Sequence, residues 1–216
     1  RIIELDRHLR QHDPLMRAAR DVMRATGDEL HANLMLCSYY GDKVLCVDRY
    51  WTDNSIESSY ARGRPFPMFR GATAKPILAN LPPYQLRNLM LWHAAEIREA
   101  GLGDDWDAFR ANLKRLRTAG VCVSHGEVDR GLMGIGAAIF SGEQKVVGSL
   151  VFIASEAHTS AARLDILQAR IQVAAAEVSQ NLQSPQSNGA AAIGIMPSRP
   201  RRIRAPAGAA PARPKA

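Results

Sequence analysis

The sequence has few cysteines and no long apolar run. Its only cysteines are Cys37, Cys46 and Cys122, which lie far apart without a C-x-x-C pair and whose odd number cannot form a complete disulfide framework. We therefore expect a reducing compartment. No stretch approaches the roughly 18 apolar residues of a membrane span, and the start, RIIELDRHLRQHD, contains no apolar signal core. We therefore predict no membrane partner. The chain also begins without Met, which favours a fragment or a processed protein.

Acidic residues are missing from the C-terminal end. Residues 184–216 contain five Arg, one Lys and no acid, so the net charge of +7 leaves only 22 basic and 21 acidic residues before them. The same segment holds six of the twelve prolines and little that could pack, which predicts a disordered, basic Pro/Ala-rich tail. Its arginines could contact phosphate; the alternative is a tail that only aids solubility.

The remaining residues are enough for one substantial domain with a real core. Asp13 and Pro14 predict the start of a first helix and Gly27 its end, and Gly41-Asp42 predicts a hairpin turn between strands near 31–40 and 43–51. A loop follows with a short strand near 55–61, then three helices within 71–81, 83–101 and 104–120, a second hairpin at 131–140 and 145–154, and a helix over 160–183. This order predicts the α+β class, with a mainly antiparallel sheet flanked by helices.

Three stretches together are similar to a known family. RGATAKPILANLP has small residues followed by Lys-x-x-Leu-Ala, LRTAGVCVSHGEVDRGLMGIGAAIF combines an acidic turn, a strand, a small-residue pair and Phe, and KVVGSLVFIA supplies the next strand. In this order, over residues 12–182, they resemble the effector-binding domain of the IclR-type bacterial transcription regulators. That fold is related to GAF and profilin-like sensor domains.

The resemblance implies a cytoplasmic regulator that binds a small organic acid or aromatic metabolite and forms homodimers or homotetramers. Residues 1–11 would be the end of a linker helix from a winged helix-turn-helix that lies outside this sequence, and residues 12–183 the effector-binding domain. DNA would be contacted only through that N-terminal domain. No enzymatic activity and no cofactor are implied.

A candidate effector site lies at the start of the second predicted helix. The first turn of a helix offers unpaired N–H groups and a favourable dipole to an anion, and small side chains let a carboxylate reach them. Gly71, Ala72 and Thr73 would hold the acid group. The alternative is that these small residues only let the helix pack closely on the sheet.

The resemblance places the apolar walls of this site on the second hairpin. Gly134 would leave room for the ligand, or would mark an ordinary close approach in the core. The wall residues are Leu132, Gly134, Val151 and Ile153. Met68, Phe66 or Tyr60 could cover the site from the loop.

The chain departs from the family at several positions. Ser124, which with Met68 completes the predicted site residues, stands where members frequently have Asp, and this weakens it as an anchor for a polar ligand. Ala138 stands where many members have Pro. Val151 and Ile153 replace serines of members that bind small keto acids. An aromatic or otherwise apolar acid is therefore favoured over glyoxylate or pyruvate.

The chain offers little catalytic chemistry. Cys122 and His125 form C-x-x-H without a second ligand pair, so no metal site is predicted. His125 and Glu127 are expected to form a solvated turn rather than an acid–base pair. Cys37 and Cys46 lie within apolar strands, where inert buried thiols are expected. The alternatives to a sensor domain are a small GAF-like thiol-dependent enzyme and a dimerisation module without ligand.

Overall fold

The first predicted helix begins at a capping residue identified in the sequence. In the computed structural model, which describes residues 1, 4, 8, 11–59 and 61–184, helix α1 spans Pro14–Leu30. The Asp13 side chain accepts the N–H of Met16 at 2.9 Å, and Pro14 occupies the first helical position. Both residues satisfy or remove N–H groups that the first turn cannot pair, so the predicted start is confirmed.

The predicted end of this helix at Gly27 is wrong. Helix α1 continues to Leu30, and His31 ends it in the left-handed conformation with φ 46°. A Cβ on Gly27 would lie 2.4 Å from Cδ1 of Tyr50. The glycine therefore allows the close approach of Tyr50 to α1 instead of ending the helix.

One antiparallel sheet forms the centre of the domain, with the strand order β3-β2-β1-β6-β5-β4. Its strands are β1 (Asn33–Tyr39), β2 (Val44–Tyr50), β3 (Pro65–Phe66), β4 (Cys122–His125), β5 (Leu132–Phe140) and β6 (Val146–Ser155). Both predicted hairpins are confirmed. The strand predicted near 55–61 is wrong, since residues 55–59 and 61 form none and the edge strand is the two-residue β3. Strand β4 was not predicted.

Helices cover both faces of the sheet. Helix α1 and the last helix, α5 (Ala161–Gln183), pack on one face over a cluster that includes Phe152 and Ile135. The other face carries α2 (Gly71–Ala79), α3 (Pro83–Glu99) and α4 (Trp106–Ala119). This arrangement confirms the predicted α+β class with an antiparallel sheet flanked by helices.

Helix α2 is buried along its whole length. A Cβ on Gly136 of β5 would lie 2.2 Å from the carbonyl oxygen of Ala72, so the helix rests directly on the backbone of the strand. Pro76 has no N–H to donate to that carbonyl from the next turn of the helix. Close packing therefore accounts for at least part of the small-residue pattern.

Several expectations concern residues outside the described part of the chain. The predicted linker segment, residues 1–11, is described only at Arg1, Glu4, His8 and Gln11, and the predicted tail only at Ser184. Tyr60, one of the possible cover residues, also lies outside the described residues. Among the helices of the described residues, none has the length and apolar character to cross a membrane.

Candidate functional site

A small cavity lies at the N-terminal end of α2. Its volume is about 30 Å³, room for one or two water molecules. Eight of the nine residues predicted for the effector site line it: Gly71, Ala72, Thr73, Ser124, Leu132, Gly134, Val151 and Ile153. Met68 is not among the lining residues and packs instead against the apolar cluster beneath α2 to α4. Phe66, weighed as a cover residue, does line the cavity.

Seven further residues complete the cavity lining: Met35, Ser58, Phe66, Glu127, Val128, Asp129 and Met133. Glu127 was not predicted as a site residue. Four of these seven residues belong to the loop 52–64 or to the turn 126–131. These two segments come into contact only when the sheet has folded.

Two of the N–H groups at the start of α2 already have partners within the protein. The helix has no capping bond from Arg70, the residue before it. Instead, Gly71 donates its N–H to Oε2 of Glu127 at 2.9 Å, and Ala72 donates to Oγ of Ser124 at 3.0 Å. The donors expected for a ligand carboxylate therefore hold a carboxylate and a hydroxyl of the chain itself.

Gly71 is required by its conformation. Its φ is +79°, which side chains with a Cβ rarely adopt, and an added Cβ would lie 2.7 Å from Cγ2 of Val128. The absence of a side chain thus lets the turn 126–131 lie over the first residue of α2.

Glu127 forms a partly buried ion pair with Lys75. Its Oε1 lies 2.6 Å from Nζ of Lys75, and the side chains are 29% and 11% exposed, respectively. The expectation that Glu127 and His125 form a solvated turn is wrong for Glu127. His125 is more than half exposed and pairs with Glu156, with 3.3 Å between Nδ1 and Oε1.

Thr73 contributes a buried hydroxyl to the cavity wall. The residue is 4% exposed, and within the described part of the chain its Oγ1 has no hydrogen-bond partner. Buried hydroxyls normally have one, since an unpaired polar group costs about 1–3 kcal/mol. Thr26 in α1 has an equally unpaired hydroxyl, so the feature points to a ligand only where a cavity accompanies it.

Gly134 does not leave open space. A Cβ there would lie 2.9 Å from Oγ of Ser124 and 3.1 Å from Cβ of Ala72. The glycine therefore allows a close approach between β5 and its neighbours, and its role in making room for a ligand stays a prediction.

Asp129 joins the two segments that cover the cavity. Its carboxylate accepts hydrogen bonds from the hydroxyl of Ser58 at 2.9 Å and the N–H of Ser59 at 3.0 Å. It also accepts a bond from the Ser59 hydroxyl. The loop 52–64 and the turn 126–131 are thus bound to each other across the mouth of the cavity.

The thiols do not line the cavity and are poor nucleophiles. Burial raises the pKa of Cys46 and of Cys122 to about 11, and it raises the pKa of Cys37 well above its ordinary value. Each thiol is therefore neutral near pH 7. No three His, Cys, Asp or Glu side chains of the described residues are grouped so that they could hold a metal ion.

Comparisons with known proteins agree with the fold and extend over most of the chain. Residues 8–180 match the family described as "Bacterial transcriptional regulator IclR C-terminal". The chain is 24% identical over 170 residues to the HTH-type transcriptional regulator KipR of Bacillus subtilis, covering 78% of this chain and 67% of KipR.

Two solved structures show a similar fold. The Thermotoga maritima IclR structure superposes with a TM-score of 0.76 at 17% identity, over 85% of this chain and 74% of that one. The C-terminal domain of the Escherichia coli transcriptional regulator KdgR gives a TM-score of 0.66 at 19% identity, over 79% and 99%. The match over residues 8–180 decides the assignment: the chain belongs to the IclR family of bacterial transcriptional regulators and contains their C-terminal domain.

Proposed function

We propose that this domain senses a small aromatic or otherwise apolar carboxylic acid and so controls DNA binding by an N-terminal domain of the full regulator. The observation that carries the proposal is the hydroxyl of Thr73, buried in a cavity wall at a helix N-terminus without a partner among the described residues. Membership of a family of transcriptional regulators supports a regulatory role rather than catalysis. Such a regulator works where the DNA is, so we place it in the cytoplasm.

The cavity offers the ligand a polar end and an apolar wall. Thr73 can donate its hydroxyl proton to a carboxylate near the start of α2, where the helix dipole favours negative charge. Val151 and Ile153 provide apolar contacts instead of hydrogen bonds, which favours an aromatic or aliphatic body. Because the cavity holds only one or two waters, the ligand must displace part of its cover.

Ligand binding would act through the arrangement of subunits. We propose a homodimer or homotetramer in which effector binding changes the spacing of the DNA-binding domains, with a coupling free energy of about 1–3 kcal/mol. Helix α3 is a candidate contact surface, since Leu91 and Trp92 are 73% and 75% exposed. Large exposed apolar side chains in neighbouring positions commonly mark contact surfaces.

A thermal-shift screen against aromatic and short aliphatic carboxylates tests the proposal. A ligand that binds only the folded state raises the free energy of unfolding by about 2.7 kcal/mol at 100 times its dissociation constant. The decisive variant is Thr73→Val, which removes one hydroxyl at nearly constant shape. Ala72→Leu, which would fill the site with a larger side chain, is not a suitable variant. Ala72 is only 2% exposed and packs against Cys122 and Val151, so the larger side chain would disturb the fold itself.

Thr26→Val is the matched control. Thr26 carries the second buried hydroxyl without a partner among the described residues, and it lies in α1 on the opposite face of the sheet from α2. Both variants should therefore fold at least as well as the wild type. Only Thr73→Val should reduce the ligand-induced shift. Equal shifts in the two variants would exclude Thr73 from the site.

A dimerisation module without ligand is the second candidate, and the small volume of the cavity favours it. This alternative predicts that no carboxylate raises the melting temperature, while the domain still associates with itself. A thiol-dependent enzyme has no comparable support, because the cavity lining contains no cysteine.

A further inference from the structure

The carboxylate of Glu127 occupies the position that the proposed function assigns to a ligand. One of its oxygens accepts the N–H of Gly71 at 2.9 Å, and the other lies 2.6 Å from the ammonium of Lys75. A backbone N–H at a helix N-terminus together with a cation is a favourable site for any carboxylate. Glu127 thus occupies the N–H group and the ammonium group that could otherwise bind the carboxylate of an organic acid.

We propose that Glu127 is an internal competitor for the effector site, and that a monocarboxylate binds by replacing it on Gly71 and Lys75. This inference rests on the proposed function, and it adds Lys75 to the site as the positive charge that selects an acid. The Thr73 hydroxyl, which has no partner among the described residues, would be the additional donor available to a ligand and not to Glu127.

Burial indicates which of the partners moves. Gly71 and Lys75 belong to a helix whose residues are all buried, whereas Glu127 is 29% exposed on the turn 126–131. The ends of this turn are fastened: Gly126 donates its N–H to the carbonyl of Leu132 at 2.9 Å. Asp129 is fastened as well, since its carbonyl accepts the N–H of Leu132 at 3.1 Å. The residues that would move are therefore Glu127 and Val128, which lie between these bonds.

Departure of Glu127 would also enlarge the cavity. Val128, the next residue, lies over Gly71 and lines the same cavity. A shift of the turn that withdraws Glu127 takes Val128 with it. Because Asp129 is bonded to Ser58 and Ser59, the shift would also reach the loop 52–64. The competition thus accounts for a cavity that is too small for a metabolite in the ligand-free domain.

Calorimetric titration with benzoate, and with benzamide as its neutral counterpart, tests the inference. If Glu127 fills the site at least nine-tenths of the time, Glu127→Gln should bind benzoate about tenfold or more tightly than the wild type. The affinity for benzamide should be the same in the wild type and in Glu127→Gln. If the Lys75–Glu127 pair has only a structural role, Glu127→Gln should bind benzoate more weakly than the wild type, because loss of the ion pair would distort the site.

Glu156→Gln is the matched control, because it removes one negative charge beside the same turn from a carboxylate that pairs with His125 rather than with Lys75. Its affinity for benzoate should equal that of the wild type. Glu127→Asp keeps the negative charge beside Lys75 but shortens the side chain, and it should show an intermediate gain in affinity for benzoate. Acetate should raise the melting temperature of Glu127→Ala more than that of the wild type at equal ionic strength.

The outcomes separate the two proposals. Carboxylate binding by the wild type without any gain in Glu127→Gln and Glu127→Asp overturns the competition and leaves the sensor function standing. No carboxylate binding by any variant, together with no effect of acetate on Glu127→Ala, overturns both.

Discussion

The hydroxyl of Ser149 in β6 donates a 2.7 Å hydrogen bond to the carbonyl oxygen of Thr73 in the first turn of α2. Both residues are buried, so the bond fixes the candidate site to the centre of the sheet. We expect Ser149→Ala to lower the free energy of unfolding by about 1–2 kcal/mol, measured by urea denaturation. Ser184→Ala removes a hydroxyl bond at an exposed helix end and should change it by less than about 0.5 kcal/mol.

Gly136 should tolerate no side chain. In Gly136→Ala the added Cβ would meet the carbonyl oxygen of Ala72 at 2.2 Å, so α2 must move away from β5. We expect a loss of about 1–3 kcal/mol in the free energy of unfolding. Gly142→Ala is the control, because its Cβ would make an ordinary 3.7 Å contact with Gln183. Equal stability of the two variants would contradict the close packing of α2 on the strand.

The thiols should react slowly at neutral pH. The pKa of Cys46 and of Cys122 is raised to about 11, so almost no thiolate is present at pH 7.5 and the alkylation rate should rise only as the pH approaches that value. Iodoacetamide labelling followed by mass spectrometry measures the rate at each cysteine. One thiol that reacts as fast as free cysteine would favour the thiol-dependent enzyme.

The same raised pKa values predict a loss of stability in alkaline solution. Because the folded state holds these thiols neutral to a higher pH than the unfolded state does, their contribution is complete below pH 9 and falls as the pH rises from 9 towards 11. The urea midpoint should fall over this interval. In Cys122→Ala the fall should be shallower, and an unchanged slope would show that the thiol does not contribute.

Self-association should depend on Trp92. Its side chain is 75% exposed on α3, beside Leu91, so Trp92→Glu would place a charge within an apolar contact. We expect a lower molar mass by light scattering at equal protein concentration. Ala111→Glu adds the same charge to an exposed position of α4 and should leave the mass unchanged. A Trp92→Glu protein that associates like the wild type would rule out this part of α3 as the interface.

The sequence predicts elements where local rules decide them. Asp13 and Pro14 start α1, and Gly41-Asp42 joins β1 to β2, because capping and turn formation depend on adjacent residues. The prediction that Gly27 ends the helix was wrong because the glycine makes room for Tyr50, a residue of β2 that contacts α1 only in the folded domain. Strand β4 was missed because it has four residues and is ordered by pairing with β5.

The residues of the candidate site also divide into those that could be predicted from the sequence and those that depend on contacts of the folded domain. Gly71 to Thr73 were predicted from the chemistry of a helix start and the strand positions from the family resemblance, whereas Glu127 was not predicted, because 56 residues separate it from Gly71. One signal was present in the sequence. Lys75 stands within an otherwise apolar, proline-bounded helix, and a buried Lys requires a carboxylate nearby. Which carboxylate pairs with Lys75 is decided only when the strands of the sheet have assembled.

Pro76 gives the start of α2 an unusual attachment. The carbonyl of Ala72 receives no N–H from Pro76, and the first turn is held by Ser149 of β6 and Ser124 of β4. That turn is thus bonded to two strands in addition to its own helix. A shift of the first turn of α2 would therefore act directly on β4 and β6 and connect the cavity with two separate strands of the sheet.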